Sequence, residues 1–293
     1  MIRKTCGIAP DLVGALEDHL CEWKISPWVI ITNRLNGEGS LDGYFSDQGE
    51  AEKAWKRLKI LFMELPDNPQ TSFVDDQNWK DAYKEHFHPW QTGSFHLVPM
   101  WQKESYAVPF GHKALYLDPG MAFGTGNHET TRLCLHALIE FMAVRKDIAS
   151  LTCVDAGCGS GILALAAKLL GLGQVKGFDL DPDAVRIAQE NAMVNEMSEQ
   201  VAFACVGLEM GMQPDCADLL LANVQADVLC AHCVALLTAL RPRGILCLSG
   251  ILSKEINEVE RIFEKEAKLL SRSFVSEQRI DGEWASLTIR SNC

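Results

Sequence analysis

A glycine-rich turn follows a short apolar segment near the middle of this 293-residue chain. The apolar residues 151–154 lead into Asp155, Gly157, Gly159 and Gly161, after which a helix-like run begins. A strand, a glycine-rich turn and a helix are the usual cradle for a cofactor that contains adenosine. An acid beside the turn repels a pyrophosphate, but it attracts the ammonium or sulfonium group of an amino acid. These four residues are therefore candidates for cofactor binding.

The spacing of the glycines separates two classes of cofactor. Dinucleotide-binding turns prefer Gly-x-Gly-x-x-Gly, whereas this turn is Gly-x-Gly-x-Gly. The next strand-like segment, 174–179, ends in Asp179, whose carboxylate can accept hydrogen bonds from both ribose hydroxyls. Together these features favour S-adenosylmethionine as the cofactor, with a nicotinamide oxidoreductase as a weaker alternative.

A second glycine-rich segment, 118–131, precedes a helix-like run at 132–143. It offers an aromatic ring, glycines that allow close approach of the backbone, and hydroxyl groups at a helix N-terminus. Such a segment can close over a bound cofactor as a lid. A plain turn, and for the threonines a plain N-cap, are the alternatives. The candidate cofactor-binding residues in this segment are Phe123, Gly124, Thr125, Gly126, Thr130 and Thr131.

Asn223 follows the buried-strand pattern of residues 217–222. An uncharged amide there can orient the lone pair of an amine toward a methyl group, so Asn223 is the candidate catalytic residue. The alternative is an ordinary turn residue at the end of a strand.

Three other groups of residues invite a chemical interpretation. The segment 230–233, Cys-Ala-His-Cys, resembles half a zinc site, but it lies in an amphipathic helical run at 226–240 without a second pair nearby in sequence. His86 and His88 alternate as on a strand. Cys158 lies in the glycine turn without an identifiable base. We therefore predict packing roles for 230–233, a turn at Cys158 that presents its backbone, and no metal site.

The elements that must position these residues fall into two parts. The first hundred residues mix helical and alternating patterns, which predicts a small α+β domain. The predicted helices lie at 9–24, 49–63 and 79–86, and the predicted strands at 28–32, 41–45, 71–74 and 94–98.

From Ala114 onward, strands alternate with helices, which predicts an α/β domain with a doubly wound sheet. Seven strands ending in a hairpin match the methyltransferase variant of that Rossmann-like sheet. Asp155, Asp179 and Asn223 then lie at the carboxyl ends of strands, where such sheets bind ligands. The predicted division is a domain at 1–101, a linker at 102–113 and a domain at 114–293. The predicted strands lie at 151–155, 174–179, 200–206, 218–222, 244–248, 271–277 and 284–290.

Composition narrows the functional class. A hydrophobic content of 47% supports a full core, and a net charge of −12 argues against nonspecific binding to nucleic acids or anionic membranes while favouring a basic partner. We find no signal peptide or membrane span in the sequence, so we expect a cytoplasmic protein. The eleven cysteines, among them Cys153, Cys205 and Cys247, fall in apparent core elements, as reduced thiols do.

The segment 120–131, Gly-Met-Ala-Phe-Gly-Thr-Gly-Asn-His-Glu-Thr-Thr, closely resembles the signature of the ribosomal protein L-eleven methyltransferase family (PrmA). The resemblance is strong over 115–293 and weak over 79–101. It implies class I S-adenosylmethionine-dependent methyl transfer. Further segments that carry the resemblance are 154–164, 177–182, 222–224, 248–252 and 282–284.

The resemblance also assigns roles to residues. It implies that Thr131, Gly157, Asp179 and Asn223 contact the cofactor, and that Phe123 and the turn at 124–126 line the same pocket. In that family the amino-terminal domain presents the ribosomal protein to the cofactor.

The expected function is therefore transfer of methyl groups from S-adenosylmethionine to lysine or terminal amines of a protein, with a ribosomal protein as the leading partner and no direct nucleic-acid or membrane partner. One alternative is a related protein-lysine methyltransferase with a non-ribosomal target. The other is a cofactor-binding interaction module without turnover.

Overall fold

The computed structural model describes residues 2–21, 27–32, 39–73, 88–117 and 128–291. The chain forms two compact units, Met1–His86 and Phe87–Cys293. The predicted boundary near 110 and the predicted linker at 102–113 therefore lie inside the second unit. The predicted helix at 79–86 lies outside the described residues.

The first unit contains a four-stranded antiparallel sheet in the order β2-β3-β1-β4. Its core centres on Trp28, which packs against Phe45 and Trp55 at ring-centroid distances of 5.1 and 5.7 Å. This arrangement confirms the predicted small α+β unit. Its elements are β1 (Ile2–Ile8), α1 (Pro10–Cys21), β2 (Trp28–Thr32), β3 (Gly39–Phe45), α2 (Gln48–Leu61) and β4 (Gln70–Phe73).

Strand β1 was not predicted from the sequence, although it pairs with both β3 and β4. Its alternate residues Ile2, Lys4 and Ile8 are buried, and the lysine hides the alternation. The Lys4 ammonium reaches Glu52 at 2.8 Å, so the buried charge is paired.

The second unit contains the predicted seven-stranded sheet, in the order β10-β9-β8-β11-β12-β14-β13. The first five strands in this order are parallel, whereas β14 runs antiparallel to both of its neighbours. This confirms the α/β doubly wound class and the final hairpin. The strands are β8 (Thr152–Ala156), β9 (Gln174–Asp179), β10 (Val201–Cys205), β11 (Ala217–Asn223), β12 (Leu240–Leu252), β13 (Phe274–Asp281) and β14 (Trp284–Ser291).

Helices cover both faces of this sheet. In β11, Leu219 and Leu221 join one core cluster, and Leu220 and Ala222 join the other. A strand buried on both faces is apolar on consecutive positions, as residues 219–222 of β11 are. The helices are α3 (Glu129–Ala143), α4 (Ile162–Leu170), α5 (Pro182–Val194), α6 (Leu208–Gly211), α7 (Ala226–Ala231), α8 (Cys233–Ala239) and α9 (Ile256–Leu269).

A three-stranded sheet precedes the large one and belongs to the second unit. It consists of β5 (Trp90–Thr92), β6 (Phe95–Pro99) and β7 (Lys113–Leu117), with β6 and β7 parallel. Phe95 and Leu115 enter the same core cluster as α3 and α4. These contacts place residues from 90 onward with the second unit.

Two predictions of detail were wrong. The helical run expected at 226–240 is two helices, α7 and α8, separated by His232. Cys205, expected in the core, is exposed, whereas Cys153 and Cys247 are buried. Separately, none of the helices in the described ranges is long and apolar enough to cross a bilayer.

Candidate functional site

The candidate residues converge at the carboxyl edge of the large sheet. Asp179 is the last residue of β9, Asn223 is the last residue of β11, and Asp155 lies in β8 between these two strands. Across the strands, Asp155 pairs with Gly177 and with Leu221. The sequence predicted this convergence, because parallel strands end at one edge.

The glycine turn brings its backbone close to neighbouring elements. Gly157, Gly159 and Gly161 have φ angles of 74°, 50° and 77°, which side chains other than hydrogen rarely allow. A Cβ atom on Gly157 would lie 2.5 Å from Cγ1 of Val224, the residue after Asn223. The Cys158 side chain is buried, and burial raises the pKa of its thiol, so the turn presents backbone rather than a nucleophile.

Asp179 is held by two backbone N–H groups. Its Oδ2 accepts a hydrogen bond from Gly159 N at 2.9 Å, and its Oδ1 accepts one from Asp181 N at 3.0 Å. A carboxylate oxygen has two lone-pair sites, so each oxygen can still accept another hydrogen bond. Asp179 is thus oriented beside the glycine turn and retains the capacity to bind two hydroxyls.

Asp155 is buried beneath the turn, with 1% of its surface exposed. Its Oδ2 accepts a hydrogen bond from Ala164 N at 3.0 Å, in the first turn of α4. Its Oδ1 is buried and has no hydrogen-bond partner among the described residues. The pKa of Asp155 is raised from 3.8 to about 7, mainly by burial; the bond from Ala164 opposes this shift, and the charge of Asp179 adds to it.

Helix α3 begins at the same edge. Its N-cap is His128, whose Nδ1 accepts from Thr130 N at 3.4 Å and lies 2.9 Å from Thr130 Oγ1. The alternative that Thr130 or Thr131 caps the helix is therefore wrong. Thr131 is fully buried, and its hydroxyl has no hydrogen-bond partner within the described ranges.

Strand β12 connects α3 to Asn223. Ser249 is the register partner of Asn223, and its hydroxyl donates to Thr130 O at 3.0 Å. Gly250 has a φ of 82°, and a Cβ atom there would lie 2.5 Å from the carbonyl oxygen of Val224. Oδ1 of Asn223 is buried and unpartnered in the described part of the chain. Contacts through Ser249, Thr130 and Val224 thus link Asn223 to Thr131 and to the glycine turn.

Four of the predicted site residues, Phe123, Gly124, Thr125 and Gly126, lie outside the described residues. His128 and Ser249 were not predicted as site residues. Ser249 could have been identified from the sequence, because it is a short polar residue inside an apolar strand. His128 could not, because histidine is not a preferred N-cap residue.

The residues present fit S-adenosylmethionine. Three buried polar oxygens at one edge, on Thr131, Asp155 and Asn223, lack partners among the residues that the structure describes. Such groups are costly to bury, so a ligand with its own donors and acceptors stabilises them. The amino-acid part of the cofactor has an ammonium and a carboxylate, and its ribose has the two hydroxyls that Asp179 can bind.

The segment 230–233 has a different environment. Cys233 is buried in a core cluster, and His232 Nδ1 lies 3.5 Å from a carboxylate oxygen of Glu209. Over the described ranges, no group of three or more histidine, cysteine, aspartate or glutamate residues is placed to hold a metal ion.

Comparison with known proteins gives a consistent result. The family model for ribosomal protein L11 methyltransferase (PrmA) matches residues 15–292. A ribosomal protein L11 methyltransferase of Pelobacter propionicus is 33% identical over 308 residues, which covers 98% of this chain and 96% of the relative. The protein of that name from Azotobacter vinelandii is 34% identical over 272 residues, covering 88% of this chain and 89% of the relative.

A solved structure is similar as well. The crystal structure of ribosomal protein L11 methylase from Lactobacillus delbrueckii subsp. bulgaricus has a TM-score of 0.60 and 29% sequence identity. The match covers 71% of this chain and 100% of that chain.

Proposed function

Because the chain belongs to the ribosomal protein L11 methyltransferase (PrmA) family, we propose that it transfers methyl groups from S-adenosylmethionine to amino groups of ribosomal protein L11. The observation that carries the assignment of the site is the set of unpartnered buried oxygens of Thr131, Asp155 and Asn223 beside the glycine turn. When bound, S-adenosylmethionine supplies an electrophilic methyl group on a positively charged sulfur.

Four groups of this chain would hold the cofactor. Asp179 accepts hydrogen bonds from the ribose hydroxyls, and the backbone of the turn at 157–161 lies against the nucleoside. Asp155 Oδ1 accepts a hydrogen bond from the ammonium group. The Thr131 hydroxyl donates to the carboxylate, whose charge is stabilised near the N-terminus of α3.

Asn223 orients the acceptor. A lysine amine has a pKa of about 10.4 and is almost wholly protonated at neutral pH, so the site must select the neutral form. The buried Oδ1 of Asn223 can accept an N–H of that amine, which directs the nitrogen lone pair at the methyl group. The proton leaves to water before the attack, and alignment supplies most of the acceleration. No side chain is needed as a general base.

The two compact units then divide the work. We assign the cofactor and the transfer to the second unit and recognition of the ribosomal protein to the first. The amines of lysine side chains and of the chain terminus are the acceptors, and the reaction takes place in the cytoplasm, where ribosomal proteins are made.

The test is a transfer assay with tritium-labelled S-adenosylmethionine and ribosomes from a strain that lacks its own copy of this enzyme. The expected result is label on ribosomal protein L11 with the unchanged chain. Asp179→Ala should abolish the label. Asp183→Ala, which removes a nearby exposed carboxylate that pairs with Arg186, should leave it.

The other outcomes separate the alternatives. Label on a different protein would assign a non-ribosomal target. Cofactor binding without label on any protein, measured by isothermal titration, would indicate a binding module without turnover.

A further inference from the structure

The groups of the proposed cofactor site follow one another along the carboxyl edge of the sheet. Asp179 ends β9, the glycine turn follows β8 and Asn223 ends β11, and these three strands are adjacent in that order. In the proposed function, on which the role of the acceptor side rests, Asp179 binds the ribose and Asn223 lies at the methyl end. The attacking amine must approach in line with the carbon–sulfur bond, so it comes from beyond Asn223, on the side of β12 and β14.

Trp284, the first residue of β14, lies on that side. β12 continues past Ser249, the partner of Asn223, and its last residue, Leu252, pairs with Trp284. Neighbouring strands are about 4.8 Å apart, so β14 lies about 10 Å from β11. β12 lies between them, so one strand separates Trp284 from Asn223 on the acceptor side.

The Trp284 ring is supported from the cofactor side. The His128 ring packs edge-on against it, with centroids 4.8 Å apart and an interplanar angle of 67°. His128 also caps the helix that carries Thr131. Both rings are half-buried, so each retains accessible surface. One histidine thus contacts both the helix of the cofactor site and the tryptophan.

We propose that Trp284 forms the wall of the acceptor pocket, where its indole face receives the methylene chain and the amine of the incoming lysine. His128 is a positioning residue that fixes the orientation of the indole. An indole face attracts an ammonium group, and its apolar surface favours the neutral amine once water is displaced.

The chemical step at this wall is a nucleophilic displacement at the methyl carbon. The lysine ammonium releases one proton to water, and the nitrogen lone pair forms a bond to the methyl carbon. The carbon–sulfur bond breaks and its electron pair stays on sulfur. The products are a methylated ammonium and S-adenosylhomocysteine.

The hairpin turn before Trp284 has the charge that this acceptor needs. Asp281 and Glu283 are exposed and flank Gly282, directly ahead of the tryptophan. Carboxylates at the entrance raise the local concentration of cationic side chains. The turn therefore attracts lysine toward the indole face.

The test compares Trp284→Leu and Trp284→Phe with the unchanged enzyme, using unmethylated ribosomal protein L11 as acceptor. Trp284→Leu should raise the KM for the protein about tenfold, because it removes the aromatic face, while Trp284→Phe should stay within about threefold. The Kd for S-adenosylhomocysteine, measured by isothermal titration, should change by less than about twofold in both. Phe274→Leu, at the opposite end of the same hairpin, is the matched control and should leave both constants unchanged.

A second measurement does not depend on how well the leucine variant folds. The chain contains seven tryptophans, and 5-fluorotryptophan labelling gives each its own resonance, with Trp284 assigned from the spectrum of Trp284→Phe. The Trp284 resonance should shift when ribosomal protein L11 is added to the complex with S-adenosylhomocysteine.

The measurements distinguish failure of the acceptor wall from failure of the proposed function. If the unchanged enzyme methylates ribosomal protein L11 but the Trp284 resonance stays fixed at saturation, or Trp284→Leu keeps its KM, the acceptor wall is overturned and the proposed function stands. If the unchanged enzyme binds S-adenosylhomocysteine but transfers no methyl group, both are overturned.

Discussion

In the proposed site, the buried carboxyl group of Asp155 couples ligand binding to pH. With its pKa raised to about 7, the group is neutral in acidic solution and ionised in basic solution. In the proposed site its Oδ1 accepts a hydrogen bond from the ligand ammonium, and the ionised form does so more strongly.

We predict that S-adenosylhomocysteine binds about tenfold more tightly at pH 8 than at pH 6, because the ionised fraction of Asp155 rises by about that factor. Asp155→Asn should remove this dependence. Isothermal titration at three pH values measures it, and parallel pH curves for the two proteins would contradict the assigned role.

The same shift predicts the pH dependence of stability. The unfolded carboxyl has a pKa near 3.9, so between about pH 4 and 7 the unfolded state loses its proton while the folded state keeps it. The free energy of unfolding of the unchanged protein should therefore fall over this window relative to Asp155→Asn, by an amount on the order of a few kcal/mol. Urea denaturation of both proteins at pH 4 and 7 measures the difference, and a constant difference would count against the raised pKa.

Thr131 permits a sharper separation of binding from folding. Its hydroxyl is buried without a partner among the described residues, so Thr131→Val should not lower the free energy of unfolding. The same change should weaken S-adenosylhomocysteine binding about tenfold or more, because a hydrogen bond to a charged carboxylate is lost. Thr131→Ser should restore most of the affinity. Thermal melts and titrations of the two variants check both statements, and unchanged affinity in the valine variant would remove Thr131 from the site.

At the residue scale, type and spacing were enough to place the glycine turn, Asp179 and Asn223 at one edge of the sheet, because a strand end fixes where they lie. His128 could not be found in this way, since its role as a cap depends on where α3 begins. Among the described residues, Asp155 Oδ1 has no hydrogen-bond partner. This depends on packing, so the spacing of residues in the sequence could not predict it.

At the scale of elements, Val224 is the contact between the glycine turn and β12. If Gly157 carried a Cβ atom, that atom would clash with the side chain of Val224. A Cβ atom on Gly250 would instead clash with the backbone of Val224. The two glycines therefore differ in whether the close approach can be relieved.

We predict that Gly157→Ala destabilises the protein by about 2 kcal/mol or more and that adding Val224→Ala recovers part of this loss. Gly250→Ala should be destabilising too, but Val224→Ala should not rescue it, because the close atoms are backbone. Gly93→Ala, at a positive φ with nothing within 4 Å, isolates the cost of strain. Chemical denaturation of the single and double variants measures all of these, and equal rescue at both glycines would contradict the geometry.

Elements with a regular apolar pattern could be predicted from the sequence. Elements whose pattern is explained only by contacts with residues distant in sequence could not. The strands from β8 to β14 were all found, because most have an apolar centre and turn residues bound them. β1 was missed because Lys4 occupies a buried position, where its ammonium contacts Glu52 and Thr71. The break at His232 between α7 and α8 left no mark in the apolar periodicity.

At the scale of the whole molecule, charge sets the encounter with the substrate. A net charge of −12 attracts a cationic protein, and salt screens that attraction over about 10 Å at 0.1 M. We predict that kcat/KM for ribosomal protein L11 falls at least about threefold between 50 and 300 mM NaCl, while the Kd for S-adenosylhomocysteine changes less. Steady-state kinetics and titrations across this range test it, and a salt-independent kcat/KM would exclude electrostatic steering.

The division into two units could be predicted only coarsely. The change of pattern at Ala114 is real, but β6 pairs with β7 across that point, and Phe95 packs into the larger core. Parallel pairing between segments separated by a loop has no local signature, so the boundary near 110 did not follow the packing.

The order of strands has a consequence for synthesis. β14 lies between β12 and β13, although both precede it along the chain. Until residue 291 has left the ribosome, β12 keeps an unpaired edge and β13 has no neighbour in the sheet, so the nascent chain carries a template for mispairing. The wall that Trp284 is proposed to form is completed only with that last insertion, so the acceptor side of the site is the last part of the sheet to form.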